Sequence, residues 1–457
     1  MKFMRKTKSK YYFSALITGI GLAVMCTAGA FAEGFQKTEN SAPASKTISN
    51  DQHLQKLERK SYFAAAKGYH LIMVQFESLQ NFVLNTSIEK QQITPVLNAL
   101  SKESLYFPHV FQQIGAGNTS DAEFLSNTSI YPFGASAMSH KYGNRKLSSL
   151  AKLMQGKGYV ANTFHVNDVS FWNRDQLYPA LGFDKYYDKQ YFNGEKFNRF
   201  GPSDEELFHV GADKLQEMDQ RHKKFYSQFV TASSHSPFIV PDDKKRLNLS
   251  QHLQKGKLGH YLTAINYSDY ALGTFIERLK QNGLWDKSVL VVYGDHFGLN
   301  KKLHDPKKIS QTLGIPYHKQ LSTFNIPFII HLPGQLHGQD VDRVGGQIDF
   351  LPTIANIMGI DLDAEGFKAF GHDLLNVKHN IIGIRYYLPT GAFFNDEVFF
   401  KPGKNGFEDG TATSIRTLQC MKDISKYKPD YDYIKKWMKA SDRYVQRLPV
   451  REDPIRK

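Results

Sequence analysis

Several carboxylate and imidazole side chains stand just after segments that are predicted to be buried strands. The segments 71–76, 288–293 and 159–164, and a fourth that ends at Thr231, are followed by Glu77, by Asp295 and His296, by His165 and by His235. In open α/β sheets, ligands bind beyond the carboxyl ends of the strands, so these side chains are expected at one edge. A lone buried histidine or aspartate is more often structural, but four such endings in one chain favour a functional site.

The residue types at this predicted edge suit metal chemistry. Glu77, Asp295 and His296 combine carboxylate oxygens with an imidazole nitrogen, a donor set that fits a divalent cation such as Mn²⁺ or Zn²⁺. A metal held there would lower the pKa of a neighbouring hydroxyl and make it a nucleophile. The sequence therefore predicts a metal site that needs a fourth, hydroxyl-bearing ligand.

The segment 115–123 can supply that hydroxyl. Its glycines let the backbone come close to a ligand, and Thr119 and Ser120 lead into a predicted helix over 121–125. A helix start offers free N–H groups to a phosphate. From spacing alone, however, a turn followed by a capping Thr or Ser is the more favoured interpretation. The segment lacks the Gly-Lys-Ser/Thr ending of a P-loop.

These side chains need strands that run in one direction, and the chain alternates as such a sheet requires. Short apolar runs such as 71–76, 288–293 and 326–330 are typical of buried strands. Between strands lie amphipathic segments, the longest over 258–279, and Thr94-Pro95 predicts a helix that begins by capping. The alternation predicts an α/β fold with a central, mostly parallel sheet flanked by helices.

The pattern changes beyond about residue 378. Turns and short strand-like pieces follow, among them 397–400, and then a helical pattern carries Ile434, Trp437, Met438 and Tyr444. We therefore expect a smaller carboxy-terminal α+β subdomain over 379–457, with a terminal helix, packed on a larger domain over 66–378.

The first 32 residues have the three parts of an export signal. Five basic residues precede an apolar stretch over 11–25, and the segment closes on Ala30-Phe31-Ala32. An uncleaved anchor over 11–32 is the competing interpretation, and a lipid on Cys26 is a third. Residues 33–65 are polar and are interpreted as a flexible linker. The protein is thus expected at the extracellular face of the membrane, or secreted.

Composition narrows the classes of protein that remain. Of the 457 residues, 41% are hydrophobic, which excludes a wholly disordered chain, and two cysteines exclude a disulfide scaffold or a zinc ribbon. The net charge is +14, but five of the 58 basic residues lie in the export signal, leaving 53 basic against 44 acidic side chains. This spread excess suits an anionic membrane or cell-wall surface and indicates no nucleic-acid partner.

Four motifs occur in order along the chain. They are Phe76-Glu77-Ser78, Gly117-Asn118-Thr119-Ser120-Asp121-Ala122-Glu123-Phe124, Phe171-Trp172-Asn173-Arg174 and Tyr293-Gly294-Asp295-His296. Together they resemble the signature of the lipoteichoic acid synthase family, in the sulfatase and alkaline phosphatase superfamily, over about residues 68–378. The resemblance implies a sulfatase-like catalytic domain over 66–378. The sulfatase branch of the superfamily uses the Cys or Ser of a Cys/Ser-x-Pro-x-Arg motif. This sequence lacks the motif, which disfavours sulfate ester hydrolysis.

The resemblance also implies roles for individual residues. It implies a Mn²⁺ site, with Mg²⁺ or Zn²⁺ less favoured, formed by Glu77, Thr119, Asp295 and His296, in which Thr119 is the nucleophile. It places four further side chains around a glycerol-phosphate head group, namely His165, Trp172, Arg174 and His235. Without the resemblance, a surface ion pair for Arg174 and a core position for Trp172 would be favoured.

The implied activity is an exported, Mn²⁺-dependent phosphoglycerol transferase. It would take glycerol phosphate from phosphatidylglycerol, or act on a glycerol-phosphate polymer, and pass it to a polymer, a glycolipid or water. A secreted phosphodiesterase that hydrolyses glycerophospho substrates is one alternative, and a non-catalytic binder of anionic wall polymer is another. Two departures from the family bear on this activity. Family synthases carry a bundle of transmembrane helices before the catalytic domain, whereas this chain has at most one apolar segment there. In addition, Asn118 stands where synthases often have Lys.

Overall fold

The structure, a computed structural model, describes residues 60–299 and 305–452. The predicted export signal and most of the predicted linker lie outside these residues. Where the linker was predicted to end, the amides of Ala64 and Ala66 donate to the carbonyls of Asn356 and Ile357, each at 2.9 Å. In residues 60–299 and 305–452, no helix has the length and apolar character needed to cross a bilayer.

Nine strands form the central sheet. They are β1 (His70–Phe76), β4 (Leu105–Phe111), β5 (Val160–Phe164), β6 (Lys185–Tyr187), β7 (Phe225–Val230), β8 (Ser288–Gly294), β9 (Asn325–His331), β10 (Gln339–Asp340) and β11 (Gly345–Gly346). The order is β10-β4-β9-β8-β1-β7-β5-β6, and β11 also pairs with β4. All pairs are parallel except those of β9 with β4 and with β8. The predicted mostly parallel sheet is confirmed.

Helices cover both faces of this sheet. They are α1 (Pro95–Ser101), α2 (Thr119–Thr128), α3 (Met138–Tyr142), α4 (Leu150–Gly156), α5 (Arg174–Leu181), α6 (Asp204–Gln220), α7 (Gln251–Gln254), α8 (Lys257–Gln281), α9 (Pro306–Leu313), α10 (Leu321–Phe324) and α11 (Phe350–Ile357). Single 3₁₀ turns occupy Asn81–Val83, Phe171–Asn173, Lys189–Tyr191, Asp242–Lys244, Trp285–Lys287 and Gln347–Asp349. One apolar core lies on the face with α2, α4 and α11, and a second lies on the face with α1, α6 and α8.

The start of α1 shows how tertiary contacts replace a local cap. The helix begins at Pro95, as predicted, but the Thr94 side chain makes no cap bond to it. Instead, the Asp269 carboxylate accepts hydrogen bonds from the amides of Val96 and Leu97, both at 2.9 Å. A carboxylate from another helix therefore satisfies the free N–H groups of this turn.

The carboxy-terminal part is a separate antiparallel sheet with one long helix. Its strands are β12 (Ile381–Ile384), β13 (Ala392–Asn395), β14 (Val398–Gly403) and β15 (Gly406–Ser414), paired in that order. A short two-stranded hairpin, β2 (Ser87–Ile88) with β3 (Gln91–Gln92), lies elsewhere. A 3₁₀ turn (Ser425–Tyr427) leads into α12 (Lys428–Arg447). The predicted α+β subdomain is thus confirmed as an element of the fold, while its exact boundary at residue 379 stays a prediction.

The antiparallel sheet packs on the α2 face of the central sheet. Phe394 of β13 stacks on Phe111 of β4 with 3.9 Å between ring centroids. After β12, the Arg385 guanidinium pairs with Asp442 of α12 at 2.6 Å and 2.9 Å and donates to the Pro132 carbonyl at 2.7 Å. These contacts fix the segment that follows Arg385, which reaches the functional site described below.

Candidate active site and metal centre

The four strand ends meet as predicted. In the sheet β8, β1, β7 and β5 are consecutive neighbours and run parallel, so their carboxyl ends share one edge. Phe76 pairs with Gly294 in the register of β1 and β8, which sets Glu77 beside Asp295. The Glu77 amide donates to Thr231 Oγ1 at 2.9 Å, and this bond ties the end of β1 to the end of β7.

Three side chains that could bind a metal converge at this edge. Glu77, Asp295 and His296 each offer one ligand atom, and these atoms lie within 4.8 Å of one another; residues 60–299 and 305–452 contain no other such group of three. His296 Nε2 is 3.7 Å from Glu77 Oε1 and 3.4 Å from Asp295 Oδ2. These separations place the three donors around a common point.

Asp295 has an acceptor that no protein group satisfies. Its Oδ1 accepts hydrogen bonds from the amides of Ser78 at 2.7 Å and His296 at 2.6 Å. Its Oδ2 is buried and without a hydrogen-bond partner. A buried, unpartnered carboxylate oxygen is costly unless a cation or a water binds it. The residues present therefore fit a divalent cation.

The pKa shifts of the two carboxyl groups also favour a bound cation. Burial raises the pKa of Asp295 well above its usual range, and the neighbouring Glu77 carboxylate raises it further. Burial also opposes ionisation of Glu77, but the nearby His296 and His235 and hydrogen bonds from Ser78 and Thr119 outweigh this, so the pKa of Glu77 is lowered. Two adjacent buried carboxyl groups thus compete for one negative charge, and a divalent cation would let both ionise.

His296 is poised as a neutral ligand. Burial lowers its pKa, and its Nδ1 lies 3.1 Å from the Phe297 carbonyl. Because that carbonyl can only accept, the proton belongs on Nδ1 and the lone pair on Nε2 faces Glu77 and Asp295.

Thr119 completes the site from the start of α2. Its Oγ1 lies 3.2 Å from Glu77 Oε2 and 3.4 Å from His296 Nε2. The helix begins at Thr119, two residues earlier than the predicted 121, because Asn118 takes up a positive φ of 43° and turns the chain into it. Of the two hydroxyls that spacing left open, Thr119 faces the carboxylates, whereas Ser120 Oγ pairs with Ser139 Oγ at 3.0 Å.

The glycines before Thr119 have a structural role that differs from the predicted one. The Asp121 carboxylate accepts from the amides of Gly115 at 3.1 Å and Gly117 at 2.9 Å on one oxygen, and from Met138 at 2.9 Å on the other. A Cβ on Gly117 would overlap that carboxylate. The glycines therefore admit Asp121, which holds the loop, rather than exposing backbone to a ligand. Sequence reasoning missed Asp121.

Arg174 is placed by a partner that sequence reasoning also missed. It is 1% exposed, and its Nε donates to Glu123 Oε1 at 2.9 Å while Nη2 donates to the same oxygen at 2.5 Å. Tyr178 Oη donates to Glu123 Oε2 at 2.7 Å. The pair is buried, unlike the surface ion pair considered above. Nη1 makes only a 3.3 Å bond to the Phe171 carbonyl.

The remaining predicted head-group residues surround the edge at different depths. His165 is buried, its Nδ1 lies 2.8 Å from the Val230 carbonyl, and burial, together with the positive charge of Arg174, lowers its pKa to about 3. His235 is partly exposed, with its Nδ1 2.7 Å from the Ser236 carbonyl. Trp172 is partly exposed rather than a core residue, and its ring lies 5.8 Å from that of His140.

Comparison with known proteins is consistent with this geometry. The sulfatase family profile matches residues 70–360. The chain is 32% identical over 394 residues to the lipoteichoic acid synthase-like protein YvgJ of Bacillus subtilis, covering 84% of this chain and 61% of that protein. It is 35% identical over 427 residues to lipoteichoic acid synthase of Staphylococcus saprophyticus, covering 87% and 64% respectively. The chain therefore spans less than two thirds of the length of these relatives.

A solved structure extends the similarity to three dimensions. The crystal structure of the lipoteichoic acid synthase LtaP from Listeria monocytogenes superposes with a TM-score of 0.81 at 37% identity, covering 88% of this chain and 99% of that one. The two proteins therefore share their fold over most of this chain.

Proposed function

The chain belongs to the lipoteichoic acid synthase family, in the sulfatase and alkaline phosphatase superfamily, and from this premise we propose that it is an exported phosphoglycerol transferase. It would use Thr119 to take glycerol phosphate from phosphatidylglycerol. One observation carries the proposal: the Thr119 hydroxyl contacts Glu77 and His296, beside a buried Asp295 oxygen that has no partner.

The site would hold a divalent cation through Glu77, Thr119, Asp295 and His296. The mixed oxygen and nitrogen donors favour Mn²⁺ over Mg²⁺. Because none of these donors is a thiolate, the set shows no particular preference for Zn²⁺. When bound, such a cation lowers the pKa of a coordinated hydroxyl and offsets the negative charge of a phosphoryl group.

Thr119 is the group that would attack phosphorus. Its Oγ1 forms the new P–O bond, the bond from phosphorus to diacylglycerol breaks, and glycerophosphate remains esterified to Thr119. The Thr119 proton can pass to Glu77 Oε2, the carboxylate oxygen 3.2 Å from Oγ1. An acceptor hydroxyl then attacks the same phosphorus and the P–O bond to Thr119 breaks. The proton held by Glu77 returns to Thr119 Oγ1, and the proton of the acceptor replaces the one given to diacylglycerol.

Head-group binding is assigned to the residues around the edge. His235 directs Nδ1 to the Ser236 carbonyl, so Nε2, when it also carries a proton, can donate to a phosphate oxygen or protonate the departing diacylglycerol oxygen. His165 also directs Nδ1 to the Val230 carbonyl, but because it is neutral its Nε2 carries a lone pair and would accept a hydrogen bond from a glycerol hydroxyl. Arg174 keeps Nη1 for a phosphate oxygen, since Glu123 occupies its Nε and Nη2, and Trp172 would border the glycerol.

The proposed setting is the outer face of the membrane or the wall beside it. An anionic lipid or polymer suits a chain with 53 basic and 44 acidic side chains beyond the predicted export signal. Phosphatidylglycerol and glycerol-phosphate polymers carry that charge.

The test is a transfer assay on the purified full chain. Labelled phosphatidylglycerol is supplied with and without Mn²⁺, and release of diacylglycerol is measured for the wild type, Thr119→Ala and Thr274→Ala. Thr274 is a matched control, because its hydroxyl bonds the Ala271 carbonyl on α8, away from the site. We expect Mn²⁺-dependent release that only Thr119→Ala abolishes; release that survives in Thr119→Ala would reject the mechanism.

Product analysis then separates the alternatives. Glycerol phosphate found in a polymer or on a glycolipid identifies a transferase, whereas free glycerol phosphate identifies a phosphodiesterase. Retained binding of anionic polymer without any turnover would show a non-catalytic binder and would overturn the proposal.

A further inference from the structure

One side chain from the carboxy-terminal sheet reaches the nucleophile segment. Tyr387 lies between β12 and β13, and its hydroxyl donates to Asn118 Oδ1 at 2.6 Å across 269 positions of sequence. Asn118 directly precedes Thr119 at the N-cap position of α2, where its side chain makes no cap bond to the helix. None of the predicted site residues lies in this part of the chain.

Asn118 is the residue whose backbone aims Thr119 into the site. Its φ of 43° and ψ of −112° form a conformation that non-glycine residues rarely adopt. Its carbonyl accepts hydrogen bonds from the amides of Asp121 and Ala122, both at 3.1 Å. A rotation at Asn118 would therefore move Thr119 and loosen the first turn of α2 together, and the Tyr387 bond opposes that rotation.

The Tyr387 ring touches the other half of the site. It meets the Phe297 ring edge-on, with centroids 5.0 Å apart. Phe297 follows His296, and its carbonyl is the group 3.1 Å from His296 Nδ1. The Phe297 amide is itself held by Gln112 Oε1 at 2.6 Å. Tyr387 thus contacts the sequence neighbours of both Thr119 and His296.

Backbone and side-chain contacts fix the segment that carries Tyr387. Its amide donates to the Arg385 carbonyl at 2.9 Å, and Arg385 is fixed by Asp442 and the Pro132 carbonyl. The bond from Tyr387 to Asn118 therefore connects two anchored segments, and forming it costs little further ordering.

We propose that Tyr387 is a positioning residue that sets Thr119 and His296 in register through Asn118 and Phe297. This inference rests on the proposed function only in that its kinetic effect is measured on glycerophosphate transfer. It gives the carboxy-terminal subdomain a positioning role, through Asn118 and Phe297, in the chemistry of the other domain. It also gives the Asn118 side chain, next to the proposed nucleophile, a hydrogen-bond partner.

The kinetic test is a double-mutant cycle between Tyr387→Phe and Asn118→Ala. Tyr387→Phe keeps the ring contact with Phe297 and removes only the hydroxyl. We expect each single variant to lower kcat about tenfold with KM changed less than about twofold, because misplacing a reacting group affects the chemical step more than substrate binding. The double variant should be no slower than the worse single one. Tyr386→Phe, an exposed neighbour, is the control and should match the wild type.

A second measurement does not depend on turnover. Mn²⁺ alone is titrated calorimetrically into the wild type, Tyr387→Phe and Tyr387→Ala, and thermal unfolding confirms that each variant is folded. Tyr387→Ala, which loses the ring contact as well, should weaken Mn²⁺ binding at least several-fold more than Tyr387→Phe does.

The outcomes are distinguishable from failure of the proposed function. A wild type that binds Mn²⁺ with Tyr387-dependent affinity, but does not turn over phosphatidylglycerol, keeps the positioning role and rejects the substrate. Full activity and unchanged Mn²⁺ affinity in both Tyr387 variants, or effects of Tyr387→Phe and Asn118→Ala that multiply, would overturn the inference.

Discussion

Glu123 and Arg174 form a buried, two-point ion pair beside the site, with both side chains 1% exposed. The guanidinium therefore has its charge partner before any substrate arrives. This arrangement holds the planar group in one orientation and leaves Nη1 as its least committed donor. The pair thus joins the motif that ends at Arg174 to a glutamate 51 residues earlier in this chain.

Removing one member of this pair should be severe. Glu123→Gln leaves a buried guanidinium without its counter-charge, and we expect the free energy of unfolding to fall by about 3–5 kcal/mol. Urea denaturation measures this loss. Glu195→Gln, on an exposed residue, should stay within about 0.5 kcal/mol of the wild type. Equal stability of Glu123→Gln and wild type would show that the pair contributes no net stability.

The effect of Asp295→Asn on the free energy of unfolding should depend on whether metal is present. Without metal it relieves the competition between two buried carboxyl groups, so stability should be unchanged or slightly higher. With Mn²⁺ at a hundred times its Kd, the wild type should gain about 2.7 kcal/mol and the variant nothing. Unfolding with and without Mn²⁺ measures both effects. Asp340→Asn, on an exposed edge strand, serves as the control. If Mn²⁺ stabilised Asp295→Asn as much as it stabilises the wild type, Asp295 would not belong to the metal site.

His165 should contribute a defined pH dependence of stability. Its folded pKa of about 3 lies below the ordinary value of 6.5, so the unfolded chain binds the proton more tightly. Stability is therefore full above pH 6.5 and is lost as pH falls from there towards 3. Between pH 7.5 and pH 5, His165→Gln should lose about 2 kcal/mol less than the wild type in urea denaturation. Parallel losses in the two proteins would contradict a neutral buried His165.

Gly117→Ala should damage the nucleophile loop through Asp121. The added Cβ overlaps the carboxylate that binds the loop amides, and overpacking of this kind costs about 1–3 kcal/mol. Diacylglycerol release should fall about a hundredfold, because Thr119 is displaced with the loop. Gly156→Ala is the matched control, since its Cβ meets nothing within 4 Å at the end of α4, and it should fold and react normally. Normal activity of Gly117→Ala would show that Asp121 does not position the loop.

Much of the fold follows from local pattern. Continuous apolar runs such as those of β1 and β8 predict buried parallel strands, because both faces of such a strand are covered by helices. The long stripe over 258–279 predicts α8, observed as Lys257–Gln281, to within two residues. Capping is less local: Thr94 marks the start of α1, but the bonds come from Asp269, which lies 173 residues away from Val96.

For the candidate site, too, sequence and tertiary structure determined different parts. Residue types and strand endings determined, from sequence alone, that Glu77, Asp295, His296, His165 and His235 would gather at the carboxyl ends of parallel strands. Spacing could not choose between Thr119 and Ser120, since that choice depends on the turn at Asn118. Only the tertiary structure decided which groups surround them: Asp121 in the loop, Glu123 on Arg174 and Tyr387 on Asn118. The physical reason is that strand direction and burial are properties of local pattern, whereas a hydrogen bond between distant segments exists only after packing has brought its donor and acceptor within about 3 Å.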